Sequence, residues 1–262
     1  MSGLDLDCAL VERTLTGFVR EELGKFGFTR AVIGLSGGID STVSVFVATR
    51  ALGAGNVTGL IMPYRTSNPE SRADAELAAA ELGIETLVVD ISPMLDAYFE
   101  QFPDASKERR GNKMARERMT ILYDHSMALQ AMVVGTSNKT EILLGYTTLW
   151  GDMASAVNPI ARHLGVPTRV VGKAPSADLW TGQTDEGELG FTYDDADRVL
   201  YELIDRRRDC ESIIADGLDP DFVHRIYRMI RDSQYKRRMP LIAKLSHRSV
   251  DRDFRYSRDW GR

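Results

Sequence analysis

The 262-residue chain is poor in cysteine, in long apolar runs and in net charge. Its two cysteines, Cys8 and Cys210, stand far apart with no Cys-x-x-Cys pair. That excludes a disulfide framework, argues against a zinc site and fits a reducing compartment, so the expected location is cytoplasmic. No stretch approaches the ~18 consecutive apolar residues of a membrane span, and runs such as Ala31 to Leu35 end quickly. No membrane partner is expected. The opening Met1-Ser2-Gly3-Leu4-Asp5 carries neither a basic nor an apolar leader, so a secretory signal is not expected. Internal repeats and low-complexity tracts are missing too. His125, His163, His224 and His247 share no spacing that implies a metal.

The net charge of −5 hides an asymmetry. From Lys236 to Arg262 nine Lys/Arg face three Asp, a local +6 that leaves the rest of the chain at −11. A basic tail interleaved with Phe254, Tyr256 and Trp260 could be a nucleic-acid arm or an Arg-rich segment folded onto an acidic body. The acidic body offers no broad basic face, so nucleic acid is not the expected partner.

Periodicity gives the architecture. Residues 5–24 carry Leu6, Leu10, Val11, Leu15 and Phe18 at helical spacing. Short apolar runs at Arg30–Leu35, Val57–Met62, Ile84–Asp90 and Ala131–Thr136 read as strands. Between them lie helices over Asp40–Leu52 and about Asn68–Leu82, and a helical region reaching beyond Tyr123. Strands alternating with helices of about 10–15 residues imply right-handed crossovers and an α/β fold: a doubly wound parallel sheet with helices on both faces. One domain is expected, with a nucleotide-binding core over 30–145, substrate loops and a lid over 146–190, and C-terminal helices and the basic tail over 191–262. Helices resume at about Tyr193–Arg207 and Asp221–Ser233, whereas 175–190 shows neither period and its Thr, Gln, Asp and Glu suit a loop that closes over substrate.

In such sheets ligands sit at the carboxyl ends of the strands. There the first strand runs through Gly34, Leu35, Ser36, Gly37, Gly38, Ile39, Asp40 and Ser41 into its helix. Glycines let the backbone approach a ligand, and the helix N-terminus favours an anion, so phosphate is the natural occupant. The loop is neither Walker A nor Gly-x-Gly-x-x-Gly; a plain strand-to-helix turn capped by Ser36 or Asp40 is the local alternative.

Ser-Gly-Gly-Ile-Asp-Ser over 36–41 resembles the signature of the PP-loop ATP pyrophosphatases, which cleave ATP between its α and β phosphates. Five further segments, in family order, resemble NAD synthetases. They are Pro63–Thr66, Gly111–Met119, Gly135–Glu141, Pro175–Gly190 and Lys236–Pro240. The resemblance implies a Rossmann-like fold of the adenine nucleotide alpha hydrolase type. It implies ATP contacts from the 34–41 loop, Thr136 and Ser176, and deamido-NAD contacts from Arg116, Tyr235 and Lys236. It makes Asp40 and Glu141 ligands of Mg²⁺, and it gives Asp152 a role in holding or deprotonating ammonium. Asn138 and Glu141 also have the spacing of a capping box, a local role that competes with the metal one.

The implied reaction joins deamido-NAD, ATP and ammonia into NAD, AMP and pyrophosphate through an adenylated carboxylate. With only about 30 residues before the first strand, a built-in glutaminase is not expected, leaving free ammonia or a separate glutaminase partner. A homodimer is the family's usual assembly.

Two departures stand out. Leu149 occupies the place where many relatives have a Lys on the dinucleotide. Between the equivalents of Ile160 and Ala161 relatives carry roughly three further helical turns, including a Lys that helps hold ATP. A true deletion there would weaken or abolish activity. Another PP-loop enzyme, or a nucleotide-binding regulator that lost catalysis, therefore remains an alternative.

Overall fold

The computed structural model describes residues 7–158, 176, 179–180 and 183–237. Most of the basic tail and the shortened stretch from 159 to 164 lie outside the described residues. Helix α1, Cys8–Lys25, begins at Asp7, whose carboxylate accepts from the Leu10 amide at 3.0 Å.

Four strands follow, β1 (Ala31–Gly34), β2 (Val57–Ile61), β3 (Glu85–Val88) and β4 (Met132–Val134). They form one sheet in the order β3-β2-β1-β4, and every pair is parallel. The connections carry α2 (Ile39–Leu52), α3 (Pro69–Leu82), α4 (Ser92–Phe99) and α5 (Lys107–Leu129). The expected helical region before β4 is thus two helices, separated by a turn that contains Pro103.

Side chains alternate across the strands, as a pleat requires. Ala31, Ile33, Val57 and Ile61 pack with Val19 and Leu23 of α1, Val43 and Val47 of α2, and Ala75 and Ala79 of α3. Val32, Leu60 and Val133 point the other way, into a cluster with Leu95 and Phe99 of α4 and Met114, Met119 and Leu122 of α5. Both faces of the inner strands are therefore covered, and β1, β2 and β4 read as continuous apolar runs, whereas the edge strand β3 is partly exposed at Glu85 and Val88.

β4 stops at Val134, short of the expected Thr136. The Gly135 amide donates instead to the Val157 carbonyl at 2.6 Å, and Val134 bridges Val157. The returning chain takes over the ladder and frees Thr136 for the space beyond the sheet.

Helix α6 (Lys139–Leu144) leads to the C-terminal part, made of α7 (Asp185–Leu189), α8 (Tyr193–Leu200), a π-helical turn Tyr201–Asp205, α9 (Cys210–Ala215) and α10 (Pro220–Asp232). Helices α7 and α9 were not expected. Both are too short to show a period, and their signals are caps: Thr184 accepts from the Gly187 amide at 3.3 Å, Gly190 closes α7 at φ 72°, and Asp209 accepts from the Ser212 amide at 2.7 Å. These helices enclose Leu144, Ala196, Val199, Ile213, Val223 and Ile226. Ile226→Ala, at a fully buried position, should cost about 2–5 kcal/mol in urea unfolding. A loss below about 1 kcal/mol would mean that this cluster does not support the fold.

Candidate active site

The chain runs β1, β2, β3 outward in one direction and then returns to place β4 on the other side of β1. The reversal lies between β1 and β4, so the loops after these two strands open into one crevice, where α/β sheets bind ligands.

The first loop is braced internally. Ser36 and Ser41 hydroxyls lie 3.0 Å apart, the Gly38 amide donates to Ser36 Oγ at 3.2 Å, and Ser41 Oγ donates to the Gly38 carbonyl at 3.0 Å. No side chain caps α2 at Gly38. The open helix start adds the positive end of its dipole, and Asp40 sits in its first turn.

The second loop ends in α6, where the capping box is fully formed. Asn138 Oδ1 accepts from the Glu141 amide at 2.8 Å, and the Asn138 amide donates to Glu141 Oε2 at 3.0 Å. Asn138 Nδ2 also reaches Asp40 Oδ1 at 3.5 Å. The local role of Glu141 is thus real, and it does not exhaust the side chain: Oε1 faces the Tyr193 hydroxyl at 3.5 Å. Burial pushes the Glu141 carboxyl well above the usual range, and the charges of Asp40, Asp185 and Asp152 push it further; the Asn138 amide opposes them.

The third wall comes from the C-terminal helices. Lys236 donates to the carbonyls of Gly145 and Thr147, both at 2.7 Å, and holds the loop that follows α6. Burial lowers its pKa while the nearby Asp152 opposes that shift. Asp152 accepts from the Thr148 amide at 2.8 Å, and burial raises its carboxyl against that bond and the charge of Lys236. The neighbouring Arg237 is structural. Its guanidinium donates to the carbonyls of Ile142 and Leu143 at 2.9 and 2.8 Å. It therefore caps α6.

A cavity of about 1060 Å³ joins these parts. Of the expected site residues Gly34, Leu35, Ser36, Gly38, Ile39, Asp40, Ser41, Thr136, Glu141, Asp152, Ser176 and Lys236 line it. Gly37 lies behind the loop, its ideal Cβ position 2.1 Å from the Ser71 carbonyl. Arg116 and Tyr235 do not line the cavity; Arg116 Nε donates to the Leu149 carbonyl at 3.0 Å, and Tyr235 is exposed.

The lining carries seven carboxylates (Asp40, Glu70, Glu108, Glu141, Asp152, Asp185, Glu188) against Arg72, Arg118 and Lys236. Such a wall repels a polyphosphate unless a cation intervenes. Among the described residues no three His, Cys, Asp or Glu form a metal-holding group. Asp40 and Glu141 together fit a hard cation that takes one or two carboxylates and completes its shell with phosphate oxygens and water, as Mg²⁺ does.

Comparison with known proteins decides the family. The model of the NAD synthase family matches residues 11–240. The chain belongs to the NAD synthase family. The chain is 55% identical to the NH(3)-dependent NAD(+) synthetase of Trichlorobacter lovleyi, all of both chains being covered. That match runs over 273 positions, more than the 262 of this chain, so the relative carries residues that are lacking here. The NH(3)-dependent NAD(+) synthetase of Chlorobaculum parvum is 52% identical, with 98% of this chain and 97% of the relative covered.

Among solved structures, NMN synthetase from Francisella tularensis superposes with a TM-score of 0.79 at 28% identity, covering 92% of this chain and 100% of its own. NH3-dependent NAD synthetase from Campylobacter jejuni gives 0.73 at 31%, covering 91% and 100%.

Two tyrosines near Glu141, Tyr146 and Tyr193, carry no motif in the sequence. Tyr146 donates to Glu188 Oε2 at 2.6 Å and to Asp185 Oδ1 at 3.3 Å, and burial together with those carboxylates raises its pKa. Tyr193 is buried, and its amide donates to Glu186 Oε1 at 2.9 Å. The only signal was the acidic cluster Asp185, Glu186 and Glu188, which reads as a solvated helix start.

Proposed function

We propose that the chain amidates deamido-NAD with free ammonia, converting ATP to AMP and pyrophosphate, and that it requires Mg²⁺. The observation that carries this reading is that the phosphate loop, the Asp40–Glu141 pair and Asp152 line a single cavity. The carboxylate must meet the α-phosphate of a nucleotide and then an amine, with a cation at the phosphates, and one cavity with these three features brings them together.

A carboxylate is a poor acyl donor because its leaving group would be oxide. Attack of the nicotinate oxygen on the α-phosphorus forms a mixed anhydride as the bond to the β-phosphate oxygen breaks and pyrophosphate leaves. Ammonia then adds to the carbonyl carbon, loses a proton, and AMP departs with the anhydride oxygen. Backbone amides of the 36–41 loop orient the departing pyrophosphate, and Thr136 and Ser176 border the nucleotide. Asp40 and Glu141 would hold Mg²⁺, which would neutralise charge on the phosphates. Asp152, its carboxyl raised by burial, holds ammonium and takes the proton released when the amide forms. Lys236 fixes the 145–148 loop that carries Asp152 to its place. Arg116 and Tyr235 act on the part of the dinucleotide outside the cavity, and the active assembly is a homodimer. The cell compartment is the cytoplasm.

The likeness to NMN synthetase favours one second reading, in which the same nicotinate carboxylate is carried by a mononucleotide. One assay separates them. The protein is mixed with MgATP, ammonium and either deamido-NAD or nicotinate mononucleotide, and AMP and amide product are followed. Stoichiometric NAD and AMP from the dinucleotide, with little turnover of the mononucleotide, is expected. The reverse preference supports the second reading. ATP binding without amide formation from either would sink both and favour a regulator that lost catalysis.

A further inference from the structure

We propose that Asn138 is a positioning residue that sets the Asp40 and Glu141 carboxylates for a shared divalent cation. The inference rests on the Mg²⁺ reading above and adds a residue to it. Asn138 does not line the cavity; it acts from behind.

Three contacts make the case. The side-chain Oδ1 accepts from the Glu141 amide at 2.8 Å, the backbone amide donates to Glu141 Oε2 at 3.0 Å, and Nδ2 reaches Asp40 Oδ1 at 3.5 Å. The first contact fixes which end of the amide is which. Because the cap needs an acceptor at the Glu141 amide, the NH₂ group must face the other way, toward Asp40. One planar group therefore links α6 to the first turn of α2 across 98 residues of sequence, and sets the separation of two like charges. Two hydrogen-bonded carboxylates on different helices otherwise repel each other apart. Groups that orient metal ligands in this way typically change metal affinity or activity by about 10–100-fold when replaced.

Substitution can separate this role from simple capping. Serine ranks with asparagine as an N-cap, so Asn138→Ser keeps the start of α6 and loses the amide that reaches Asp40. Asn138→Ala loses both. Binding is read with Mn²⁺, which like Mg²⁺ takes octahedral oxygen ligands. It is titrated into the intact protein in the presence of α,β-methylene-ATP, and free Mn²⁺ is followed by electron paramagnetic resonance.

Asn138→Ser is expected to melt like the wild type yet bind Mn²⁺ about 10-fold more weakly. The Mg²⁺ concentration for half-maximal amide synthesis should rise by the same factor, while kcat at saturating Mg²⁺ changes less. Asn138→Ala should add a loss of stability to the same weakening. Mn²⁺ binding by Asn138→Ser indistinguishable from wild type would overturn the proposal and leave Asn138 as a helix cap only. Failure of the wild type itself to bind Mn²⁺ with the nucleotide would overturn the carboxylate-pair reading on which it rests, a result visible before any variant is compared.

Discussion

Glu141→Gln is expected to lower the rate of NAD formation by about 10²–10³-fold, the scale seen when a group that stabilises developing charge is removed, without lowering stability. Gln fills the N3 place of a capping box as well as Glu does, so the two bonds with Asn138 survive. What disappears is a charge. If the cap were Glu141's whole role, the variant would keep full activity.

The stability side has a definite sign. Burial and the charges of Asp40, Asp185 and Asp152 raise the folded carboxyl above its ordinary value of 4.5. The folded protein therefore holds a proton that the unfolded chain releases. That linkage favours folding at low pH and is lost as pH rises from about 4.5 through the raised folded value. Other carboxyls, such as Asp90 with its bonds to Ser92, are shifted downward and contribute with the opposite slope, so the comparison must be a difference. Without Mg²⁺ or nucleotide, Glu141→Gln should gain on the wild type between pH 5 and pH 8 in urea unfolding. An identical difference at both pH values would remove the electrostatic strain from Glu141. Adding Mg²⁺ with an ATP analogue should reverse the gain, because only the wild type offers the second carboxylate.

The sheet was legible because its central strands β1 and β2 are buried on both faces and its helices end in plain signals, such as Asn68 before Pro69 and Gly83 at φ 65°. The phosphate loop was legible for a related reason. A Gly-Gly turn between a buried strand and a helix has few uses. The surroundings of Glu141 were not legible, since Asp185 and Tyr193 come near it only through tertiary packing, with α6 held against α8 and α10 by the apolar stripe of Val199, Val223 and Ile226. Lys236 shows the same limit. The resemblance implies a deamido-NAD contact for it, and it does line the cavity, yet tertiary structure also spends two of its donors on the carbonyls of Gly145 and Thr147. A basic residue after a helix is visible in sequence; the loop after α6 that it holds is not.

Gly37→Ala should be strongly damaging, raising KM for ATP more than tenfold and lowering the melting temperature. Gly37 lies at φ 75°, and its ideal Cβ falls 2.1 Å from the Ser71 carbonyl oxygen and 2.9 Å from its carbon. The left-handed backbone alone costs an L-residue about 1–2 kcal/mol. The clash is with backbone in the first turn of α3, so no side chain can rotate away; either the 36–38 loop or the start of α3 must move. Both line the ATP end of the cavity, through Ser36 and Gly38 on one side and Asn68 to Arg72 on the other. The displaced loop then loses the Gly38–Ser36–Ser41 bracing that aims its amides. Gly17→Ala is the control. Gly17 lies inside α1 with nothing within 4 Å of its ideal Cβ, and there Ala should stabilise by about 0.5–1 kcal/mol with activity unchanged. The same added methyl thus acts with opposite sign at the two positions. If Gly37→Ala kept the wild-type KM for ATP, the loop would not be shaped by its contact with α3, and its role in holding phosphate would fall with it.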